Sequence, residues 1–370
     1  TLAGYGGGGI YVYNAAATIR GNEIYENVQY GGNNGGGGIY VFANCDTVIE
    51  RNRIWGNYVD AALDWDSGGG IFVEGSATSG QVYIQNNLIY ANTAADNGGG
   101  IYVYDTGNPI VDSNTIYGNQ ASGGGGVHGS GGTTLRNNIV VSNTGGQGTT
   151  RVCDYCNVYG NTQNDNAGAT GALSVDPLFV QPGVNFELQP ASPCRDAIPR
   201  EGVIYPVDDF RGYARPFGSG DDATDMGAYE FYTGTCFALL GTWGVYPSVQ
   251  EALDAAGGLG PVFVAGHCTA DGAPVANVDF GLGLYGGYTH TNWITPTTET
   301  ILDGGGAERV IYITGTGRVT VSEFTIYGGQ ALTGSALLVD TPIDVRVQNV
   351  IWRGNTSPDG GILATVGGNA

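Results

Sequence analysis

Two short patterns alternate along the first part of the chain, and this repeat limits the possible folds more than any other feature. The first is a glycine run followed by an apolar-aromatic-apolar triplet, such as Ile10-Tyr11-Val12. The second is apolar-x-x-Asn-x-apolar-x-x-Asn, which spans 19–27 in its first copy. Each glycine pattern is followed by one asparagine pattern, and the unit recurs every 24 to 35 residues. Units of this kind stack on one another, so the repeat predicts a solenoid.

The residues inside each repeat indicate strands. Short β-branched runs bounded by Gly and Asn are typical of strands, and no helical period interrupts them. The repeat is too short for a propeller blade of about 40 residues, and it lacks the leucine pattern of leucine-rich repeats. We therefore predict an all-β fold, a parallel β-helix with about 4.8 Å between coils. Alternation directs Ile10 and Val12 inward and Tyr11 outward, and the glycines are expected at corners without room for a Cβ or with positive φ.

Stacking in register places like residues in columns. We expect the asparagines at turns, where Asn tolerates the left-handed region and its amide stacks on that of the next coil. The first asparagine column comprises Asn22, Asn52, Asn87, Asn114 and Asn138. The second asparagine column comprises Asn27, Asn57, Asn92, Asn119 and Asn143. A charge column with no like neighbours supports this register, and it comprises Arg20, Glu50, Gln85, Asp112 and Arg136.

Aromatic residues form two further columns, which we predict to be outward-facing ladders on the surface. The first aromatic column comprises Tyr11, Tyr40, Phe72 and Tyr102. The second aromatic column comprises Tyr25, Trp55, Tyr90, Tyr117 and Tyr159. One interpretation is ring stacking that stiffens the sheet. The other is a flat platform that contacts sugar rings or another filament.

The repeated GGGIY and Ile-x-x-Asn motifs resemble those of right-handed parallel β-helix surface proteins, including the polymorphic outer-membrane adhesins, over most of 1–165. A second resemblance covers 174–230, where Asp209-Phe210-Arg211-Gly212 precedes a run from Asp225 to Glu230. It is similar to the C-terminal region of bacterial choice-of-anchor Q domain-containing proteins, which closes a β-helix and precedes a cell-surface anchoring signal. The resemblance implies export and attachment outside the cell, and it implies no catalysis.

The chain then starts a new segment. Ser248 and Glu251 form a capping box, and an apolar stripe ending at Gly257 predicts one short capping α-helix near 248–256. Short strands follow it. We expect three domains. Residues 1–170 would form the C-terminal coils of a parallel β-helix, 171–235 an irregular choice-of-anchor Q-like closing region, and 236–370 the cap and first coils of a second β-helix. The first β-helix would lack its opening coils and the second would lack its closing coils, which suggests a repeating unit that stacks head to tail with itself. The alternative is a fragment with arbitrary ends.

Six cysteines in this acidic chain are compatible with an oxidising compartment. Cys236 and Cys268 bracket one short segment and are expected to pair. Cys194 could reach either Cys153 or Cys156, and the connectivity stays open. Zinc or redox use of the Cys153-x-x-Cys156 spacing is disfavoured, because no second pair or nearby histidine completes a ligand set.

Charge and missing motifs limit the chemistry. All 13 basic residues are arginine and the net charge is −21, which disfavours nucleic acid and anionic membranes as partners. No apolar run is long enough to span a bilayer. His128, His267 and His290 lie far apart in sequence, and no polygalacturonase-like or pectate-lyase-like set is present, so we expect no catalytic residues and no cofactor. Flexible acidic loops suit Ca²⁺, and the candidate ligands, with a solvated loop as the alternative, are Asp208, Asp209, Asp221, Asp222 and Asp225.

Two functions follow as expectations. The first is an extracellular or cell-surface structural or adhesive protein whose partner is a second copy of itself in a filament. The second is a carbohydrate-binding or carbohydrate-active protein with a pectin-lyase-like fold and a polysaccharide partner. Asp64 and Asp66 are the closest carboxylate pair that could flank a glycoside, and the favoured alternative for this pair is an acidic, solvated loop.

Overall fold

A computed structural model describes most of the 370-residue chain, which divides into two compact units. The first unit is Thr1–Arg211 with Asp221–Phe231, and the second is Gly212–Gly220 with Tyr232–Ala370. The described residues are 6–30, 35–42, 46–59, 66–75, 80–104, 108–163, 166, 168–215, 223–232, 234–241, 244–290 and 292–366. The domain boundaries expected from sequence stay predictions.

The first unit is a parallel β-helix, which confirms the predicted fold class. Each strand pairs in parallel with its equivalent in the next coil. Sheet A contains Ile10–Tyr13, Ile39–Phe42, Ile71–Glu74, Ile101–Tyr104 and Val127–His128. Sheet B contains Ala17–Arg20, Thr47–Glu50, Val82–Gln85, Ile110–Asp112, Thr134–Arg136 and Cys153–Asp154. Sheet C contains Glu23–Tyr25, Arg53–Trp55, Leu88–Tyr90, Thr115–Tyr117, Ile139–Val141 and Asn157–Tyr159. Shorter ladders pair Val28–Gln29 with Tyr58–Val59 and Gln120–Ala121 with Thr144–Gly145.

The core of this unit runs along the axis between the three sheets. Ile10 pairs with Ile39 and Val12 with Val41, so the apolar side chains at alternate positions fall in continuous columns. Those from all three sheets form one buried cluster. Full burial of such a side chain contributes about 1.5–3 kcal/mol. Because a slip of one residue would turn every column outward, the alternation fixes the register.

The glycine corners behave as predicted. Gly38, Gly70 and Gly100 follow one another in successive coils. A Cβ on Gly70 would lie 2.6 Å from the carbonyl oxygen of Gly100 and 3.0 Å from Nδ2 of Asn92. Neither distance leaves room for a carbon atom, so the corner excludes any residue with a Cβ.

The prediction that the asparagines themselves adopt the left-handed conformation is wrong. The positive φ falls one residue earlier, at Arg51 (φ 55°), Asn86 (φ 54°) and Ser113 (φ 54°) in three successive coils. The preceding residue makes the bend, and the column asparagine that follows is left to aim its amide along the stack. Asn52 and Asn87 are accordingly fully buried.

The region that follows the final coil of the first unit covers the outer face of sheet C. It contains two antiparallel pairs, and Phe179, Phe186 and Leu188 join Ile139 and Val141 of sheet C in one buried cluster. The pairs are Phe179–Gln181 with Asn185–Leu188, and Ile198–Pro199 with Ala223–Thr224. This closing region therefore lies along the side of the β-helix and buries residues that alternation had turned away from the core.

The second unit contains three further sheets. Sheet D opens with the antiparallel strands Cys236–Leu240 and Gly244–Tyr246 and continues with Val262–Thr269, Gly283–Tyr288, Val319–Ser322 and Val345–Gln348. Sheet E shares Val262–Thr269 and continues with Ile301–Asp303, Thr325–Tyr327 and Ile351–Arg353. Sheet F contains Ala276–Phe280, Ile311–Thr316, Leu337–Val339 and Leu363–Thr365. Apart from the opening strands, the pairing between coils is parallel, as in the first unit.

The predicted capping helix is confirmed as Val249–Ala256. The Ser248 hydroxyl accepts the backbone N–H of Glu251 at 3.1 Å and donates to its carboxylate at 2.9 Å. Burial is the main cause that raises the pKa of Glu251. Gly257 ends the helix with φ 47°. The buried stripe on the helix joins the core of the second unit and packs on the first strands of its sheets, so the helix covers one end of that core.

Candidate contact site

Both predicted asparagine columns form continuous hydrogen-bonded ladders inside the first unit. In the second column, Nδ2 of Asn57 donates to Oδ1 of Asn92 at 2.9 Å, and Nδ2 of Asn92 donates to Oδ1 of Asn119 at 3.0 Å. The backbone N–H of each asparagine donates to the same Oδ1 atom of the next coil. The second Nδ2 proton returns to the preceding coil, as from Asn92 to the carbonyl oxygen of Ile54 at 2.9 Å. The buried side-chain amide of Asn92 thereby has a partner for its oxygen and for both of its protons.

Each ladder extends one position beyond the predicted set. The second ladder continues from Asn143 to Asn161, with Nδ2 to Oδ1 at 2.9 Å. The first ladder ends on sulfur, because the backbone N–H of Asn138 donates to Sγ of Cys156 at 3.2 Å. In each case the residue before the last position of the ladder has positive φ, Gly160 (φ 63°) or Tyr155 (φ 50°). Asn161 and Cys156 keep the same spacing as the two asparagines of each earlier repeat, and this spacing is the sequence signal that identifies both as ladder positions.

The charge column is in the predicted register. Nε of Arg20 lies 3.3 Å from a carboxylate oxygen of Glu50, and Nε of Arg136 lies 2.6 Å from one of Asp112. Nε2 of Gln85 donates to the Glu50 carboxylate at 3.0 Å. Opposite or neutral groups therefore meet at each of these steps of the stack.

The first aromatic column is not a surface ladder, and this corrects the prediction. Its rings do contact one another from coil to coil, edge to face, with centroids 5.0 Å apart between Tyr40 and Phe72 and between Phe72 and Tyr102. However, all three side chains are buried, and Phe42 and Tyr104 pack against them. A side chain that faces away from the core is still buried when rings two positions along and in adjacent coils cover it. Only Tyr11, at the first coil, is exposed.

The second aromatic column is in register but is mostly covered. Tyr25 stacks on Trp55 with centroids 4.6 Å apart. Further along, Phe186 of the closing region lies 5.1 Å from Tyr90 and 5.3 Å from Tyr117. The prediction of an open platform along the whole column is therefore wrong. The exposed members are Tyr25 at one end and Tyr159 at the other.

The candidate calcium ligands serve another purpose. Asp209 is buried and accepts the backbone N–H groups of Arg211 at 2.7 Å and Glu230 at 3.0 Å. Asp225 is also buried and accepts those of Asp196 at 2.7 Å and Phe231 at 2.6 Å.

Asp208 forms an ion pair with Arg51, and Asp221 and Asp222 lie outside the described residues. The carboxylates of Asp209 and Asp225 thus hold the turns of the closing region and, because both are buried, they do not form a solvated loop. Within the described ranges, no group of three His, Cys, Asp or Glu residues could hold a metal ion.

Two disulfides are present among the cysteines that the structure describes. Cys236 pairs with Cys268, as predicted. Cys153 pairs with Cys156, so the pairing of either with Cys194 is wrong. Cys194 is a buried free thiol that accepts a hydrogen bond from Nδ2 of Asn157 at 3.1 Å, and its burial raises the pKa to about 12. Cys45 lies outside the described residues.

Each of the three histidines has a partner of its own. His128 packs against the ring of Tyr102, with centroids 5.4 Å apart, and burial lowers its pKa. Nε2 of His267 lies 3.0 Å from the carboxylate of Asp303. His290 stacks on Phe237 at 4.9 Å.

An open groove of about 410 Å³ lies beside the turns that follow sheet C. Among the residues that the structure describes, the groove lining contains one aromatic ring, an amide and hydroxyl groups, but no carboxylate or imidazole. It comprises Tyr58, Thr93, Ala94, Ala95, Gln120, Ala121, Ser122 and Gly145.

Two sets of strands form edges without a strand partner among the residues that the structure describes. The first coil comprises Ile10–Tyr13, Ala17–Arg20 and Glu23–Tyr25, and the last coil comprises Val345–Gln348, Ile351–Arg353 and Leu363–Thr365. Large side chains are exposed on both. Tyr11, Tyr13 and Tyr25 are 38%, 48% and 46% exposed, while Ile351 and Leu363 are 60% and 42% exposed. These two edges are the candidate contact site.

Comparison with known proteins supports the fold of the first unit. Residues 1–138 match a family described as a right-handed β-helix region. The searches of curated proteins and of solved structures gave no match. No helix in the described ranges has the length and hydrophobicity that a membrane span requires.

Proposed function

We propose that this β-helix protein is an extracellular structural protein that assembles through its exposed coil edges, without a catalytic role. The observation that carries the proposal is the pair of edges formed by the first coil and the last coil. An unpaired strand presents a row of free N–H and C=O groups that can pair with another strand. When apolar side chains stand exposed on the same edge, docking also removes them from water, at about 1.5–3 kcal/mol for each large side chain that becomes buried.

The internal ladders suit a structural role. The asparagine ladders, the apolar columns and the stacked rings all run along the axis, so each coil is held to its neighbours by interactions of the same kind. A further coil docked at an edge would extend these ladders rather than create a different interface. Contacts between two different surfaces of one molecule propagate into a filament when the rotation between successive copies does not close a ring.

A non-catalytic and extracellular role has independent support. Glycoside hydrolysis uses two carboxylates that flank the bond, and the described residues that line the groove beside sheet C include no carboxylate. Asp66, one member of the candidate pair, is buried. Asp64 lies outside the described residues. Disulfides persist in oxidising compartments, and both disulfides of this chain favour a location outside the cytoplasm.

The test is assembly of the purified chain with a matched pair of variants. Ile351 on the last coil is 60% exposed, and Val184 in the closing region is 64% exposed. We expect fibres or multimers by electron microscopy and light scattering, increasing with protein concentration. Ile351→Glu should suppress assembly by placing a charge on the edge, whereas Val184→Glu, with the same change of charge, should not. A chain that stays monomeric at all concentrations, or an equal effect of both variants, would refute the proposal.

A second candidate function is polysaccharide binding in the groove beside sheet C. The groove combines the Tyr58 ring with the Gln120 amide and the Ser122 hydroxyl, and a few polar groups beside an aromatic surface are typical of small-molecule sites. Pull-down on neutral and acidic polysaccharides tests it. Tyr58→Ala should reduce binding and Tyr159→Ala, at an exposed ring outside the groove, should not.

A further inference from the structure

We infer that the first coil of one copy binds the last coil of another copy in a single register, and that the second asparagine ladder sets this register. This inference rests on the proposed function, and it adds the identity of the partner and the pairs of residues in contact. It follows from the direction of the ladder, from the groups left without a partner at its two ends, and from the geometry of the corners.

The asparagine ladders have a direction. Each Oδ1 atom accepts from the asparagine of the preceding coil, as when Oδ1 of Asn57 accepts the N–H and Nδ2 of Asn27 at 3.1 Å and 2.9 Å. The oxygen atoms therefore all face toward the preceding coil. In the first coil, Oδ1 of Asn27 has no donor among the described residues. It is an acceptor that faces outward from the edge and is suited to two donors.

The last coil offers those donors. Asn355 lies at the corresponding corner, where its Oδ1 accepts the N–H of Gly329 at 2.8 Å and its Nδ2 donates to the carbonyl oxygen of Ile326 at 2.9 Å. Both bonds repeat the internal pattern of the ladder in the first unit. The N–H of Asn355 and its second Nδ2 proton have no acceptor in the described ranges. Docked in register, both would donate to Oδ1 of Asn27, and the ladder would continue across the contact.

The corners on either side of the contact have the same geometry. At the corners before and after Glu23–Tyr25 in the first coil, the left-handed residues are Gly21 (φ 68°) and Glu26 (φ 53°), and at the corners around Ile351–Arg353 in the last coil they are Asn349 (φ 51°) and Gly354 (φ 64°). Each pair is five positions apart and brackets one three-residue strand. The two strands can therefore lie side by side without a bulge, which is the condition for an uninterrupted parallel ladder.

The side chains on these strands are complementary. The register places Trp352 beside Ile24, which closes the core, and Arg353 beside Tyr25. Within its own chain Arg353 is already the strand-register partner of Tyr327 on its other side, so docking would place Arg353 in one column between two tyrosines. Cations on aromatic faces are stabilised by the ring quadrupole.

Cysteine cross-linking tests the register. Aligned residues on adjacent strands lie within disulfide reach, so Tyr25→Cys with Arg353→Cys should give a series of covalent multimers on mild oxidation. The matched control is Glu23→Cys with Arg353→Cys, which places the thiol on the same outward face but two positions away. The parent chain reports any background from its own cysteines, and circular dichroism verifies that each variant is folded.

The outcomes separate the two proposals. Selective cross-linking of the matched pair supports the register. Multimers by light scattering with equal or no cross-linking of the two pairs would overturn the register but leave the proposed assembly standing, whereas absence of multimers would overturn both. As a second measurement, Asn27→Ala should raise the concentration needed for assembly about tenfold, since it removes the acceptor of two hydrogen bonds. Thr134→Ala, at an exposed side chain of a coil away from both edges, should leave it unchanged.

Discussion

The replacement of Asn92 by alanine tests whether the asparagine ladder stabilises the first unit. The Asn92 side chain makes four hydrogen bonds, all between 2.9 and 3.0 Å: two to Asn57, one to the carbonyl oxygen of Ile54 and one to Oδ1 of Asn119. Truncation leaves the N–H of Asn57, one of its amide protons and the Ile54 carbonyl without these partners. Each buried unsatisfied group costs about 1–3 kcal/mol. We expect a loss of about 4 kcal/mol in the free energy of unfolding.

The matched control for this prediction is Asn27→Ala at the end of the same ladder. There the side chain makes one bond, from Nδ2 to Asn57, and is half-buried, so the loss should be about 1 kcal/mol. Urea unfolding followed by circular dichroism gives both values. Amide hydrogen exchange locates the effect, since Asn92→Ala should release the N–H of Asn57 while that of Asn92 keeps its acceptor on Asn119. Equal losses in the two variants, or unchanged protection of Asn57, would refute the reasoning.

Three further predictions concern other parts of the fold. Replacing Cys236 and Cys268 by serine should lower the free energy of unfolding of the second unit by about 3–4 kcal/mol, because their bond closes a loop with sequence separation 32; denaturation with and without reductant measures it. Gly70→Ala should cost about 2–3 kcal/mol because its Cβ would meet a backbone oxygen at 2.6 Å, while Gly131→Ala, which meets nothing within 4 Å, should be almost neutral by thermal denaturation. Burial raises the pKa of Tyr102 to about 12. Its contribution to the free energy of unfolding is therefore complete below about pH 10, where an unfolded tyrosine stays neutral, and is lost as pH rises toward 12. Tyr102→Phe should flatten the fall in the free energy of unfolding at alkaline pH.

Much of the first unit follows from sequence because its information is local and repeated. The alternation of Ile10, Tyr11 and Val12 is enough to choose which side chains face the core. The spacing of Asn22 and Asn27 sets the two corners of every coil. Each repeat predicts the same arrangement of strands and corners independently, so a wrong assignment in one coil would conflict with the assignment in the next. The capping helix is equally predictable from the sequence, because Ser248 and Glu251 interact within one turn of the chain.

Only the tertiary structure decided which columns are exposed. The sequence places Tyr90 and Tyr117 on an outer face, but Phe186 arrives from a distant part of the chain and covers them. Asp209 and Asp225 resemble a metal-binding loop in sequence, yet folding buries both carboxylates against backbone N–H groups. Alternation determines on which side of a strand a residue lies, whereas exposure depends on what packs there from elsewhere. The repeat itself thus determined the coil, and the long-range packing of a segment without repeats decided which parts of its surface remain free.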